Sequence, residues 1–132
     1  MQYAPGLSRD ELIDLATHKY FASVDAKDIE ATLACFHDEA LFCVQTAFAR
    51  HSGKAELQRM FEDFFNAWQT IVHHDFVCTV DEPNGRIAAS FEAVLTGNDG
   101  SVTRLHNTNF WRIREGRFQE VYVYMSGENP LV

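Results

Sequence analysis

The sequence is short of positive charge: 11 Lys and Arg stand against 19 Asp and Glu, a formal net charge of -8 over 132 residues. Nucleic acids and anionic membrane surfaces are held chiefly by cations that displace counterions, so this deficit argues against both as partners. Cysteine is also scarce. Cys35, Cys43 and Cys78 are odd in number, sit in apolar runs and form no C-x-x-C pair, which excludes a disulfide framework and a zinc knuckle. No uninterrupted apolar run approaches the roughly 20 residues of a membrane-spanning helix. The opening "MQYAPGLSRDE" lacks the basic and then apolar regions of a secretory signal. These shortages describe a soluble, reduced, cytoplasmic protein. Repeats, low-complexity tracts and linkers are missing too, and the length suits one domain over residues 1–132.

What is present begins with helices. Ser8 followed by Glu11 reads as a capping box, and Leu12, Ile13, Leu15, Ala16, Tyr20 and Val24 recur at helical spacing, predicting a helix over about residues 8–24. "DAKDIEATLACF" restarts a helix with Asp25 or Asp28 as its cap and Ile29, Leu33 and Phe36 as its buried side. "ALFCV" reads as a short strand. Ser52 precedes a third helix that buries Leu57, Met60, Phe61, Phe64 and Phe65. Turns at "DEPNG", "TGNDG" and "REG" then separate four runs rich in Val, Phe, Tyr and Thr. Three helices against a mainly antiparallel sheet make an α+β fold.

The last hairpin predicts which side chains share a face. Glutamate resists the positive φ that a two-residue turn would impose on Glu115, so a three-residue loop is expected, with Ile113 opposite Arg117. Trp111 then opposes Gln119, Asn109 opposes Val121, Asn107 opposes Val123 and Leu105 opposes Met125. Buried amides on such an apolar face are costly unless they bond each other, water or a ligand, which makes Asn107 and Asn109 candidate site residues. The opposite face carries His106, Thr108, Phe110 and Arg112 beside Phe118, Glu120, Tyr122 and Tyr124, an aromatic surface that suggests a partner. In "TIVHHDFVCTV", strand alternation sends His73 and His74 to opposite faces, so a metal site using both is not expected. His74 shares its parity with Val72, Phe76, Cys78 and Val80, the more apolar set.

"YFASVDAKDIEA", "HSGKAEL" and "GRFQEVYVYMS" resemble the first helix-turn-helix, the third helix and the last strand of the NTF2-like superfamily, which includes SnoaL-like polyketide cyclases, ketosteroid isomerases and scytalone dehydratase. The resemblance covers nearly the whole chain. It implies a cone in which a curved sheet wraps three helices around an apolar pocket, and a homodimer through the outer sheet face. Tyr20 matches the ketosteroid isomerase tyrosine that donates to the substrate oxyanion. The isomerase's general-base aspartate falls at Val44, its protonated aspartic acid at Asn109, and two pocket tyrosines at Phe36 and Phe61. A valine moves no proton, so isomerisation by the familiar route is disfavoured. The dehydratases resemble the chain in "VDAKD" and in a histidine early in the strand after the third helix, here His73 by alignment or His74 by parity.

The expectation is therefore an acid/base enzyme, a dehydratase, isomerase or cyclase that needs no cofactor or metal and takes an apolar, carbonyl-bearing small molecule. Its catalytic set would be Tyr20, Asp25, His73 or His74, and Asn109. Phe36, Val44, Phe61, Phe91, Asn107, Trp111, Val121, Val123 and Met125 would line the pocket. The rival expectation is a non-catalytic ligand-binding or dimerisation module of the same fold.

Overall fold

In the computed structural model, which describes residues 6–132, the Ser8 hydroxyl accepts from the Glu11 amide and the Glu11 carboxylate accepts from the Ser8 amide, closing the capping box. Helix α1 follows over residues 9–25. It is α-helical at Arg9–Ile13, π-helical at Asp14–Lys19 and α-helical again at Tyr20–Asp25. A π-helical turn holds more residues than an α-helical one and so rotates every later side chain about the axis. Tyr20, Phe21 and Val24 emerge on the buried side.

Helix α2 (Ile29–Ala34) is capped by Asp28, whose carboxylate accepts from the Ala31 amide at 3.0 Å. Asp25 ends α1 instead and keeps its carboxylate for another partner. Phe36, expected on the buried side of α2, opens a strand. Helix α3 (Lys54–Ala67) starts after Gly53, at φ 83°, rather than after a Ser52 side-chain cap. Ser52 contributes its backbone N–H, which donates to the Glu56 carboxylate at 2.9 Å. Leu57, Met60, Phe61, Phe64 and Phe65 are buried as their spacing predicts, each contributing about 1.5–3 kcal/mol of transfer free energy.

Six strands form one sheet: β1 (Phe36–Val44), β2 (Ala49–Ser52), β3 (Trp68–Asp81), β4 (Arg86–Gly97), β5 (Val102–Arg114) and β6 (Arg117–Tyr124), in the order β2-β1-β6-β5-β4-β3. Only β1 and β6 run parallel. The curved, unclosed sheet packs the helices on its inner face, giving the expected α+β fold.

Two bulges decide which residues face inward. In β3 the pairing passes from His74 opposite Glu92 to Val77 opposite Ser90, so Asp75 and Phe76 together face the single residue Phe91. Asp75 takes φ 62°, a left-handed conformation that aspartate tolerates better than most residues. The extra residue flips the alternation. Ile71 and His73 point inward before it, and Phe76, Cys78 and Val80 pack on the core after it. Unbroken parity, which grouped His74 with Phe76, Cys78 and Val80, therefore fails at this position.

The β5–β6 hairpin corrects the predicted register. Glu115 and Gly116, at φ 53° and 75°, form the two-residue turn, with Arg114 opposite Arg117. Gln119 is then left as an extra residue between the pairs Ile113–Phe118 and Arg112–Glu120. Trp111 thus opposes Val121 and Asn109 opposes Val123. The inner residues of β5 are as expected, but Phe118, placed on the outer face by the sequence, is fully buried.

Asp28→Ala should lower stability by about 1 kcal/mol. Chemical denaturation checks this, and an unchanged midpoint would show that the Asp28 cap does not support α2.

Candidate functional site

The carboxylate that ends α1 meets the strand beside it. Asp25 Oδ1 lies 2.6 Å from His73 Nδ1, and Asp25 Oδ2 accepts the His73 backbone N–H at 2.9 Å. Both oxygens are thus used on one residue of β3. Such a charge-assisted bond is worth roughly 1.5–3 kcal/mol, about twice a neutral one. Lys27, at φ 56° just beyond α1, donates its ammonium to the Trp68 carbonyl and ties the same turn to the start of β3.

Aromatic rings fix the imidazole plane. Phe21 stacks on His73 with centroids 4.3 Å apart and planes at 29°, and Phe91 meets it edge-on at 5.6 Å. The His73 side chain is 8% exposed. With Nδ1–H given to the carboxylate, Nε2 keeps its lone pair and can accept a proton.

His73 lines a cavity of about 30 Å³ with Tyr20, Asn107 and Asn109 among apolar walls. Asn107 Oδ1 and Asn109 Oδ1 are buried and have no hydrogen-bond partner among the described residues. A buried, unpaired amide oxygen carries the desolvation cost without a compensating bond, which is the mark of a site awaiting water or a ligand. Tyr20 is ringed by Phe21, Phe36, Phe61, Trp111 and Phe118 at centroid distances of 4.8–6.4 Å. Its burial first, then the nearby Cys35 and Asp25, push its phenol well above the usual range, so it stays a neutral donor.

Of the residues expected on the pocket wall, Phe61, Phe91, Asn107, Val123 and Met125 lie on it. Phe36, Val44, Trp111 and Val121 do not. They are packed into the core beside the cavity, at 0–2% exposure, because the helices fill that part of the cone. Asp25 stands behind His73 and does not line the cavity. Phe21, next to Tyr20, and Val24, one turn beyond it, also join the wall. Leu131 also joins it, from a segment with no periodicity to betray its position.

His74 points to the outer face. Its Nδ1 lies 3.1 Å from Asp75 Oδ2 and its Nε2 3.9 Å from Glu92 Oε2, and all three side chains bring ligand-type atoms within 4.8 Å. The imidazole lies between the two carboxylates rather than presenting one nitrogen to a shared cation, and Glu92 also pairs with Arg104 at 3.1 Å. Burial pushes all three cysteine thiols upward, away from the thiolate form a nucleophile needs.

Residues 17–121 match the SnoaL-like domain. The chain belongs to the SnoaL-like domain family. No protein of curated function matches it significantly in sequence. Among solved structures, a candidate polyketide cyclase from Xanthomonas campestris pv. campestris is 18% identical, covering 88% of this chain and 90% of its own at a TM-score of 0.78. SalBIII, an epoxide hydrolase/cyclase-like enzyme of pyran ring formation in the polyether salinomycin, is 14% identical over 90% of this chain and 93% of its own, with a TM-score of 0.80. A candidate ketosteroid isomerase from Kribbella flavida is 19% identical over 91% of this chain and 81% of its own, with a TM-score of 0.69. At these identities the likeness shows the fold alone.

Imidazole ¹⁵N NMR should find His73 protonated at Nδ1 and its tautomer balance altered by Asp25→Asn, with the His74 signals unmoved. A His73 spectrum indifferent to Asp25→Asn would contradict the bond.

Proposed function

We propose that this SnoaL-like protein is a cofactor-independent acid/base enzyme that dehydrates, isomerises or cyclises an apolar, carbonyl-bearing small molecule. The observation that carries this reading is His73, held by Asp25, on the wall of an apolar cavity that also holds two amides whose oxygens have no partner among the described residues. Polyketide cyclisation and ketosteroid isomerisation, the activities given for two of the structural neighbours, are compatible with this reading.

For a β-hydroxy ketone, His73 Nε2 takes the proton beside the carbonyl and its electrons form the enolate. The Tyr20 hydroxyl and the Asn109 amide N–H donate to the enolate oxygen, and Asn107 positions the substrate. Asp25 stabilises the imidazolium, which returns its proton to the β-hydroxyl. The C–O bond breaks, water departs, and the conjugated enone forms as the carbonyl is restored. Return of the proton to another carbon is isomerisation. Attack of the enolate carbon on a second carbonyl, whose oxygen takes the imidazolium proton as its π bond breaks, is cyclisation. In each case His73 ends neutral.

4-Hydroxy-4-phenylbutan-2-one tests the reading, because its dehydration product absorbs strongly in the near ultraviolet. His73→Ala should lower kcat/KM by about 10²-fold or more, the usual contribution of a positioned general base. Tyr20→Phe should cost about 10²-fold through loss of an oxyanion donor. Unaltered turnover in His73→Ala would contradict the assignment.

The outer sheet face supports a second reading, assembly. Phe110 and Tyr124 are 47% and 44% exposed and pack edge to face at 5.8 Å. Aromatic surface of this kind favours a self-complementary homodimer. Sedimentation analysis should give a dimer for the wild type and a monomer for Phe110→Asp, and a monomeric wild type would end this reading.

A further inference from the structure

The cavity holding His73 is too small for the substrate class proposed above. Its 30 Å³ admits one or two waters, whereas a dry protein cavity that takes up benzene measures roughly 150 Å³. Most of its walls belong to α1, α3 and the sheet, whose backbones are fixed by helical and ladder hydrogen bonds. Met125, Pro130 and Leu131, all beyond β6, are the exceptions.

After β6 ends at Tyr124, residues 125–132 form no helix or strand, yet they return across the pocket and bury Leu131 to 9% exposure within the core cluster. The segment is held by few bonds. The Asn129 side chain brackets Leu131, donating to its carbonyl at 3.0 Å and accepting its amide at 2.8 Å. His51 Nε2 reaches the same carbonyl at 3.3 Å, and Arg59 donates to the Val132 carbonyl at 3.3 Å. At the other end, Ser126 Oγ accepts the His106 amide at 2.8 Å and remains tied to the sheet. Gly127 follows, where a Cβ would come within 2.6 Å of Leu105 Cδ2.

We infer that residues 127–132 form a strap that swings aside to admit the substrate, and that Leu131 occupies the apolar subsite which the substrate fills in its place. The exchange is chemically even. The strap gives up the burial of one isobutyl group and a few hydrogen bonds, of which only that from Arg59 carries a charge, and an aryl or branched alkyl group of the substrate recovers that burial against the same walls. Leu131 therefore sets the size of the apolar group that binds in its place. The inference rests on the proposed site only in taking this cavity as the place where substrate binds.

The probe is 2-naphthol, a rigid apolar molecule with one hydroxyl. If the strap is open in roughly a tenth of molecules, closure weakens binding about tenfold. Leu131→Ala, which empties the subsite, and Asn129→Ala, which loosens the strap without touching the wall, should each tighten 2-naphthol binding by up to about tenfold in calorimetry. Hydrogen exchange of the wild type should accelerate in residues 127–132 on binding while it slows in β5, a response that a merely structural C-terminal segment would not give. Unchanged or weaker binding in both variants, no binding in either, or added protection of residues 127–132 would overturn the strap. These readouts measure binding and not turnover. A pocket that gates 2-naphthol but dehydrates nothing contradicts only the acid/base reading, whereas turnover with an unresponsive strap contradicts only this inference.

Discussion

The paired hydrogen bonds from Asp25 to His73 join the end of helix α1 to the middle of β3, and the arrangement of the site follows from that junction. One carboxylate oxygen holds the backbone and the other holds the ring, so neither the position nor the orientation of the imidazole is left to packing alone. Phe21, four residues before Asp25 on the same helix, covers the ring face. One turn of α1 thus supplies the hydrogen-bond acceptor, the stacking surface and, through Tyr20, a neutral hydroxyl on the cavity wall. A short polar array inside an aromatic core can be this exact in position only because few degrees of freedom remain to it.

The bulge at Asp75 makes the junction possible. Without the extra residue, a strand that buries Phe76, Cys78 and Val80 would turn His74 inward and leave Asp25 facing the wrong side of β3. The bulge sends His73 to the cavity and His74 to the outer face beside Asp75 and Glu92. On β5, by contrast, alternation continues unbroken through Asn107, Asn109 and Trp111. That regularity sets two amides into the apolar cavity, their oxygens without a partner among the described residues.

These differences explain what was legible in the sequence. The capping box at Ser8, the stripe of α3 and the inner face of β5 follow from local rules with a fixed period, and each stands as read. Asp25 and Asp28 were equivalent as caps in the sequence, because capping chemistry alone does not say which carboxylate has a distant partner. The bulge is not legible because its local mark is one aspartate with positive φ, a conformation that a strand pattern does not advertise. Glu115 adopts the same conformation against its preference because the pairing of Arg114 with Arg117 closes the turn around it. Leu131 was not legible at all. Its burial depends on contacts with α3 and β2, far away in the chain, and no periodicity surrounds it.

Asp25 and His73 act as one coupled unit. A double-mutant cycle on folding stability, with Asp25→Asn, His73→Gln and the double variant, tests it most directly. An interaction energy of about 1–3 kcal/mol is expected, as for other contacting polar partners. Additivity within about 0.3–0.5 kcal/mol, the behaviour of independent positions, would contradict it.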